Sequence, residues 1–229
     1  MGDLETMTTV VAILRPPAAV LPAVGADLAF AHRYLAWILY DADRYDEALV
    51  EVEEALSVCR RAPLVRRVTT EVQFIAALNV RALVLLEMGR AAEAVDDARN
   101  ALILSRGRLP YAPHRYRPGL LYALDVMARS LNRTDEPGQA LPHGQELVDI
   151  LRRLTPRRPR YKSLLAASLV QLGIYLAHLG DLTAALRATE ESLGLFRQLT
   201  EDEPERHAGG VEHATENRDL LLTMLENED

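Results

Sequence analysis

The sequence has little of several residue types that would point to particular protein classes. Cys59 is its only cysteine, which excludes an internal disulfide and a metal cage built from cysteine thiolates. We therefore expect a reducing, cytoplasmic setting in which the Cys59 thiol packs as a small apolar group. Lysine occurs once, at Lys162, and every other basic residue is arginine. Aromatic residues make up only 5% of the chain, so the composition favours helices over strands.

Long apolar runs and an excess of positive charge are also missing. No run approaches the roughly 20 apolar residues that cross a bilayer, and acidic Asp3 and Glu5 stand where a signal peptide would be basic. We therefore expect no membrane association. The formal net charge of -7 argues against a nucleic-acid partner, because phosphate binding normally leaves a basic domain.

Motifs that carry catalysis are absent from the sequence as well. It contains no phosphate-binding GxxxxGK[ST] loop, no HExxH metal motif, no GxSxG nucleophile motif and no dinucleotide-binding glycine pattern. The six histidines include no pair four residues apart, and His207 and His213 are expected to be solvated. Adjacent carboxylates such as Asp96 and Asp97 diverge on a helix, so we expect them on a solvated face. The sequence predicts a protein without catalytic residues, metal or cofactor.

What the sequence does contain is a pattern that recurs every 45 or 46 residues. One copy runs from Ala82 to Ala101, with small residues in two amphipathic helices on either side of a turn at Gly89. Small residues at these positions let paired helices cross closely. The positions of Ala82, Gly89, Ala94 and Ala101 recur as Ala36, Asp43, Ala48 and Ala55; as Ala128, Asp135, Ala140 and Leu147; and as Gly173, Gly180, Ala185 and Ser192. Apolar residues of the two helices recur at the same interval. The exception is Arg81, which stands where the other repeats have Leu35, Met127 and Leu172.

This pattern resembles the tetratricopeptide repeat over about residues 29–204. The best match runs from Ala36 to Ala55 and includes Asp46 and Glu47. The resemblance implies an all-α fold, a right-handed superhelical stack of antiparallel helix pairs. The period exceeds the family's usual length of about 34 residues, which suggests a long-period variant similar to the repeats of bacterial regulators.

The repeats predict a single domain over residues 1–229. Its parts are a partial leading helix, four repeats and a capping helix, at residues 1–16, 28–62, 64–107, 118–155, 160–200 and 211–226. Proline-rich or arginine-rich connections separate the repeats, at Pro63, Pro110–Pro118, Pro156–Pro159 and Asp202–Gly210.

The resemblance also implies where a partner binds, because the family's inner groove is lined by four positions of each first helix. We expect aromatic, arginine and amide groups there to contact a protein or peptide. The alternative is that Trp37 and Tyr40 simply pack between neighbouring repeats. The predicted binding residues are Arg33, Trp37, Tyr40, Asn79, Leu83, Leu86, Tyr122, Asp125, Arg129 and Asn132.

The leading functional hypothesis is therefore a non-catalytic binding scaffold. One alternative is a sensor or autoinhibitory segment of a larger bacterial signalling or transcriptional regulator. Another is a structural module that forms homo-oligomers through the ends of its stack. One repeat position carries a row of arginines. These cations either compensate the helix dipole at helix C-termini or form an edge where an anionic partner docks. The residues are Arg60, Arg106, Arg152 and Arg197.

Overall fold

The computed structural model describes residues 2–20, 24–62 and 67–227, with the side chains of all of these except 2, 16–20 and 67–69. Within that part the chain forms ten α-helices and no β-strand, and the all-α prediction is confirmed. None of the described helices is long and apolar enough to cross a membrane. The helices are α1 (Gly2–Val20), α2 (Gly25–Asp41), α3 (Tyr45–Arg61), α4 (Arg67–Glu87), α5 (Ala91–Arg108), α6 (Pro113–Arg133), α7 (Pro137–Leu154), α8 (Lys162–His178), α9 (Leu182–Asp202) and α10 (Pro204–Glu226).

The chain divides into two compact units, residues 1–130 and residues 131–229, which we call unit 1 and unit 2. In unit 1, α1 packs on α2, α2 on α3 and α4, α3 on α4, and α4 on α5. In unit 2, α7 packs on α8, α8 on α9, and α10 on both α8 and α9. The expectation of a single domain stays a prediction.

One kind of turn joins the two helices of each predicted repeat. Its central residue has a positive φ, at 57° in Asp43, 76° in Gly89, 61° in Asp135 and 82° in Gly180. The N–H of the next residue donates to a leucine carbonyl five residues earlier, as from Arg90 to Leu85 at 2.8 Å. This is the Schellman arrangement, in which a left-handed residue ends the helix. The turns therefore lie at the residues that the repeat predicted, whereas the assignment to a long-period variant stays a prediction.

The small residues lie in the interior, as their spacing suggested. Ala36 and Ala82 are fully buried, and Ala128 is 1% exposed. At the fourth position a Cβ atom on Gly173 would lie 2.6 Å from the Thr189 hydroxyl oxygen and 3.2 Å from a backbone oxygen of α9. The close crossing of α8 and α9 therefore depends on this glycine.

The exceptional Arg81 is explained by an ion pair between α4 and α5. Its Nε and Nη2 atoms both donate to the Asp97 carboxylate at 2.6 Å. Asp97 is only 4% exposed, so the expectation that it lies on a solvated face with Asp96 was wrong. The preceding repeat has a similar link, since buried His32 contacts Glu51 with Nδ1 and Oε2 2.7 Å apart.

Two predicted connections are shorter than the proline pattern suggested. Helix α6 begins at Pro113, so Pro118 lies inside a helix. Helix α10 begins at Pro204, and only Glu203 separates it from α9. His207 is consequently buried within α10, which corrects its expected solvation. The predicted connection at Pro63 and the predicted start of the second repeat at 64 lie outside the described residues.

The last helix packs on α8 and α9 of unit 2 with part of its apolar surface. Leu221 and Leu225 pack against Leu182 and Ala185. Leu220 and Met224 on the same helix are exposed.

Gly173→Ala should destabilise the protein, although alanine normally stabilises a helix. Overpacking a close contact costs about 1–3 kcal/mol, which exceeds the gain of up to about 1 kcal/mol from helix propensity. Gly194→Ala is the control, because no atom lies within 4 Å of its added Cβ. We expect the control to gain about 0.5–1 kcal/mol. Urea denaturation measures both, and equal shifts of the same sign would contradict the close crossing.

Asp97→Ala should cost about 3 kcal/mol, because it leaves the Arg81 guanidinium without its partner between two helices. Replacing both residues, as Arg81→Met with Asp97→Leu, should cost less, since the other repeats hold Leu35, Met127 and Leu172 at the position of Arg81. Urea midpoints compare the variants. A double variant that is no more stable than Asp97→Ala would show that the pair itself stabilises the hairpin.

Candidate functional site

A cavity of about 470 Å³, the unit 1 cavity, lies among helices α2, α4 and α6. These are the first helices of three consecutive repeats, and all of the lining residues belong to unit 1. Its volume is within the range of small-ligand and peptide-anchor pockets. The lining residues are Phe30, Arg33, Tyr34, Trp37, Val72, Ile75, Ala76, Asn79, Val80, Leu83, Arg115, Tyr116, Pro118, Gly119 and Tyr122.

Half of the predicted binding residues meet at this cavity. They are Arg33, Trp37, Asn79, Leu83 and Tyr122. They converge because one face of each first helix points to the same side when successive hairpins stack in register. Their role in binding stays a prediction.

Aromatic side chains make up a third of the residues that line the cavity. The chain has eight tyrosines, three phenylalanines and one tryptophan, and five of these twelve residues line the unit 1 cavity. The rings of Phe30 and Tyr34 stack, with centroids 6.0 Å apart and planes 5° from parallel. Phe30, Tyr34 and Tyr122 are each about two-fifths exposed, at 44%, 39% and 43%. The wall therefore offers rigid apolar area that a partner can still reach.

Arg33 brings a half-buried positive charge to the wall. Its Cζ atom lies 5.1 Å from the centre of the Phe30 ring, and its Nε donates to Gln73 Oε1 at 3.4 Å. Among the described residues, no carboxylate pairs with it. Burial lowers the pKa of the Arg33 guanidinium, and the Tyr122 and Cys59 side chains oppose this only in part. The guanidinium is thus a cation whose contacts in the protein are neutral.

Asn79 links α4 to α6 at the cavity. Its Nδ2 donates to the Gly119 carbonyl oxygen at 3.0 Å. That approach requires a glycine, because a Cβ atom on Gly119 would lie 2.7 Å from Ile75 Cγ2. The Asn79 Oδ1 atom is buried and has no hydrogen-bond partner among the described residues. A buried acceptor left unpaired costs stability, which makes it a candidate for retention by function.

Three other predicted residues form a separate polar cluster. Glu87 Oε1 accepts hydrogen bonds from the Tyr40 hydroxyl at 3.5 Å and from Arg129 Nη2 at 2.9 Å. Asp125 Oδ2 lies 3.8 Å from Arg129 Nη1. Burial raises the pKa of the Asp125 carboxyl, and the nearby Arg129 counteracts this only partly. Since these side chains bond to one another across α2, α4 and α6, the cluster joins first helices together.

The remaining two predicted residues lie elsewhere. Leu86 is 1% exposed and belongs to the core. Asn132 lies in unit 2, where its Oδ1 atom is 2.9 Å from His178 Nδ1.

Sequence reasoning missed several lining residues for an identifiable reason. Residues 110–118 were treated as a connection, so Arg115, Tyr116 and Pro118 were not considered. Pro113 is the signal that could have found them, because proline is favoured in the first turn of a helix. Tyr34 was also missed, although it lies four residues after Phe30 and therefore on the same helix face.

The row of arginines falls into both units, with Arg60 and Arg106 in unit 1 and Arg152 and Arg197 in unit 2. Arg60 Cζ lies 5.9 Å from the Phe74 ring centre. Arg152 Nε donates to Glu191 Oε1 at 3.1 Å, so its charge is already partnered. No group of three or more His, Cys, Asp or Glu in the described part of the chain could hold a metal ion.

Antiparallel helix pairs that repeat with the same turn define a helical-repeat protein. Two segments match family models described as tetratricopeptide repeat, residues 33–62 in unit 1 and residues 166–191 in unit 2. These two matches support a tetratricopeptide repeat protein. No curated protein matches the sequence.

Among solved structures, the chain is similar to the crystal structure of BtubC (BKLC) from P. vanneervenii, with a TM-score of 0.64. The match covers 98% of this chain and 90% of BtubC at 15% sequence identity. At that identity the likeness concerns the fold.

Asn79→Leu should leave the protein at least as stable as the parent. The change removes a buried oxygen whose missing partner costs about 1–3 kcal/mol of stability. It also loses one hydrogen bond that contributes about 1 kcal/mol. Leu86→Asn, an equally buried change on the same helix, is the control and should cost about 3 kcal/mol. Urea denaturation followed through the single tryptophan, Trp37, measures both. If Asn79→Leu lost as much as the control, Asn79 would be a structural residue.

Proposed function

We propose that this chain is a non-catalytic binding module that holds a segment of a partner protein along α2, α4 and α6 of unit 1. Tetratricopeptide repeats generally mediate interactions between proteins, and the family is typically non-catalytic. The proposed partner is therefore a protein or peptide, bound without a cofactor.

The concentration of aromatic residues at one cavity carries this proposal. The space beside Trp37 is open to solvent, since Phe30, Tyr34 and Tyr122 on its wall stay partly exposed. A volume of about 470 Å³ is thus accessible beside five aromatic rings and a guanidinium. Tryptophan, tyrosine and arginine are the residues that most often dominate binding energy at interfaces.

Trp37 also makes the proposal easy to test. It is the only tryptophan in the chain, and it lines the unit 1 cavity. A ligand that enters the cavity changes the surroundings of this one indole. Peptides without tryptophan can therefore be selected on the immobilised protein and then titrated while the emission of Trp37 is recorded.

Tyr122→Ala should weaken binding of the selected peptides by about tenfold or more, because a contributing aromatic contact is worth at least about 1.4 kcal/mol. Tyr122 is partly exposed, so the variant should keep its fold. Tyr111→Ala, a change at an exposed tyrosine outside the cavity, is the control and should bind like the parent. Selected peptides that bind both variants equally, without affecting Trp37 emission, would overturn the proposal.

The buried free thiol of Cys59 supports a cytoplasmic location as part of this proposal. Burial raises the pKa of Cys59 to about 11, so the thiol stays protonated and unreactive at neutral pH. A role within a larger bacterial regulator and self-assembly through the ends of the stack stay predictions.

A further inference from the structure

The charges at the unit 1 cavity are opposite to those of the chain as a whole. The chain has 33 acidic and 26 basic residues. The cavity lining nevertheless includes two arginines, Arg33 on α2 and Arg115 on α6, and no aspartate or glutamate. The site is a local positive region on an acidic protein.

Carboxylates close to the cavity are bonded to other groups. Glu71 accepts hydrogen bonds from Arg108 Nε at 3.0 Å and from the Tyr116 hydroxyl at 3.2 Å. Glu87 is bonded to Arg129 and Tyr40. Burial raises the pKa of the Asp41 carboxyl, and the Trp37 side chain opposes this rise in part. None of these carboxylates pairs with Arg33 or Arg115, and Arg115 makes no ion pair within the described residues.

We propose that the unit 1 cavity selects an acidic peptide segment, in which an apolar side chain enters the aromatic cavity and flanking Asp or Glu carboxylates pair with Arg33 and Arg115. This inference rests on the proposed function and names the chemistry of its partner. Complementary charge of this kind sets specificity and the rate of encounter at interfaces.

The geometry favours acidic side chains over a terminal carboxylate or a small organic acid. Two guanidiniums on different helices require more than one negative charge for full pairing, whereas a peptide end or a monocarboxylate supplies one. Phe30, Tyr34 and Tyr122 line the cavity and stay partly exposed, so its wall is open to solvent. That open wall suits a chain that continues past the cavity.

Arg33 is the residue that should contribute most to selection. A guanidinium can bond a carboxylate through two parallel hydrogen bonds, which are stronger than bonds between neutral groups. Because Arg33 is half-buried, salt screens such a pair less than one at the open surface. Arg115 is exposed, so its contribution should fall as ionic strength rises.

Three sets of acetylated, amidated nonapeptides test the inference. Each has a central Leu or Phe, flanked by Asp and Glu in the first set, by Asn and Gln in the second, and by Lys in the third. Titration is followed by the emission of Trp37. We expect the acidic set to bind about tenfold or more tighter than the neutral set, from one well-made ion pair, and the lysine set to bind weakest.

Arginine variants assign the preference to the cavity. Arg33→Gln should remove most of the preference for acidic peptides while binding of the neutral set remains, because the charge is lost and the aromatic rings that hold the apolar side chain are kept. Arg115→Gln, at an exposed position, gives the same test in a variant that keeps its fold. Arg117→Gln is the matched control, since Arg117 lies on the same helix and does not line the cavity. It should leave the preference unchanged.

Four results would overturn the inference. Equal binding of the acidic and neutral sets would disprove acidic selection and leave the peptide groove in place. A neutral peptide with a free carboxyl end, or phenylbutyrate alone, that bound as tightly as the acidic set would identify a different anion. A loss of preference in Arg117→Gln equal to that in Arg115→Gln would show only a general charge effect. No response to any peptide would overturn the proposed function as well.

Discussion

The close crossing of paired helices is the constraint on which the rest of this structure depends. Within a repeat, a small residue in the first helix lets the second helix lie against it, as Gly173 does between α8 and α9. The left-handed residue in each turn, such as Gly89, reverses the chain within a few residues. Short turns and close crossings leave little freedom in how a hairpin forms. In unit 1 the first helices α2, α4 and α6 then come together around one cavity.

In unit 1 the side chains of these helices are used in two ways. Around Glu87, side chains from three first helices bond to one another and hold the helices together. Around Trp37, the same three helices surround a cavity instead. The buried Asn79 amide takes part in both arrangements. Its nitrogen donates to the Gly119 carbonyl oxygen of α6, whereas its oxygen, in a residue that lines the cavity, has no partner among the described residues. Helix-to-helix bonding and the cavity thus use neighbouring positions of the same helices.

Much of the fold could be predicted because its signals are local. Turn residues and small residues recur at a fixed interval, and the four turns lie where that interval placed them. Connections were harder to predict. The prolines up to Pro118 were interpreted as a connection, although Pro113 begins α6, where the first-turn N–H groups make no helical hydrogen bond. This error hid the first turns of α6, and with them Arg115 and Tyr116 of the candidate site.

The sequence by itself determined the class of fold and the positions of the turns between paired helices. It did so because spacing and residue size act through neighbours in the chain. Only the tertiary structure decided that Trp37 and Tyr122 share a cavity while Tyr40 and Arg129 bond to Glu87. It also paired Arg81 with Asp97. Such choices depend on distances between side chains on different helices, and repeat spacing does not encode those distances.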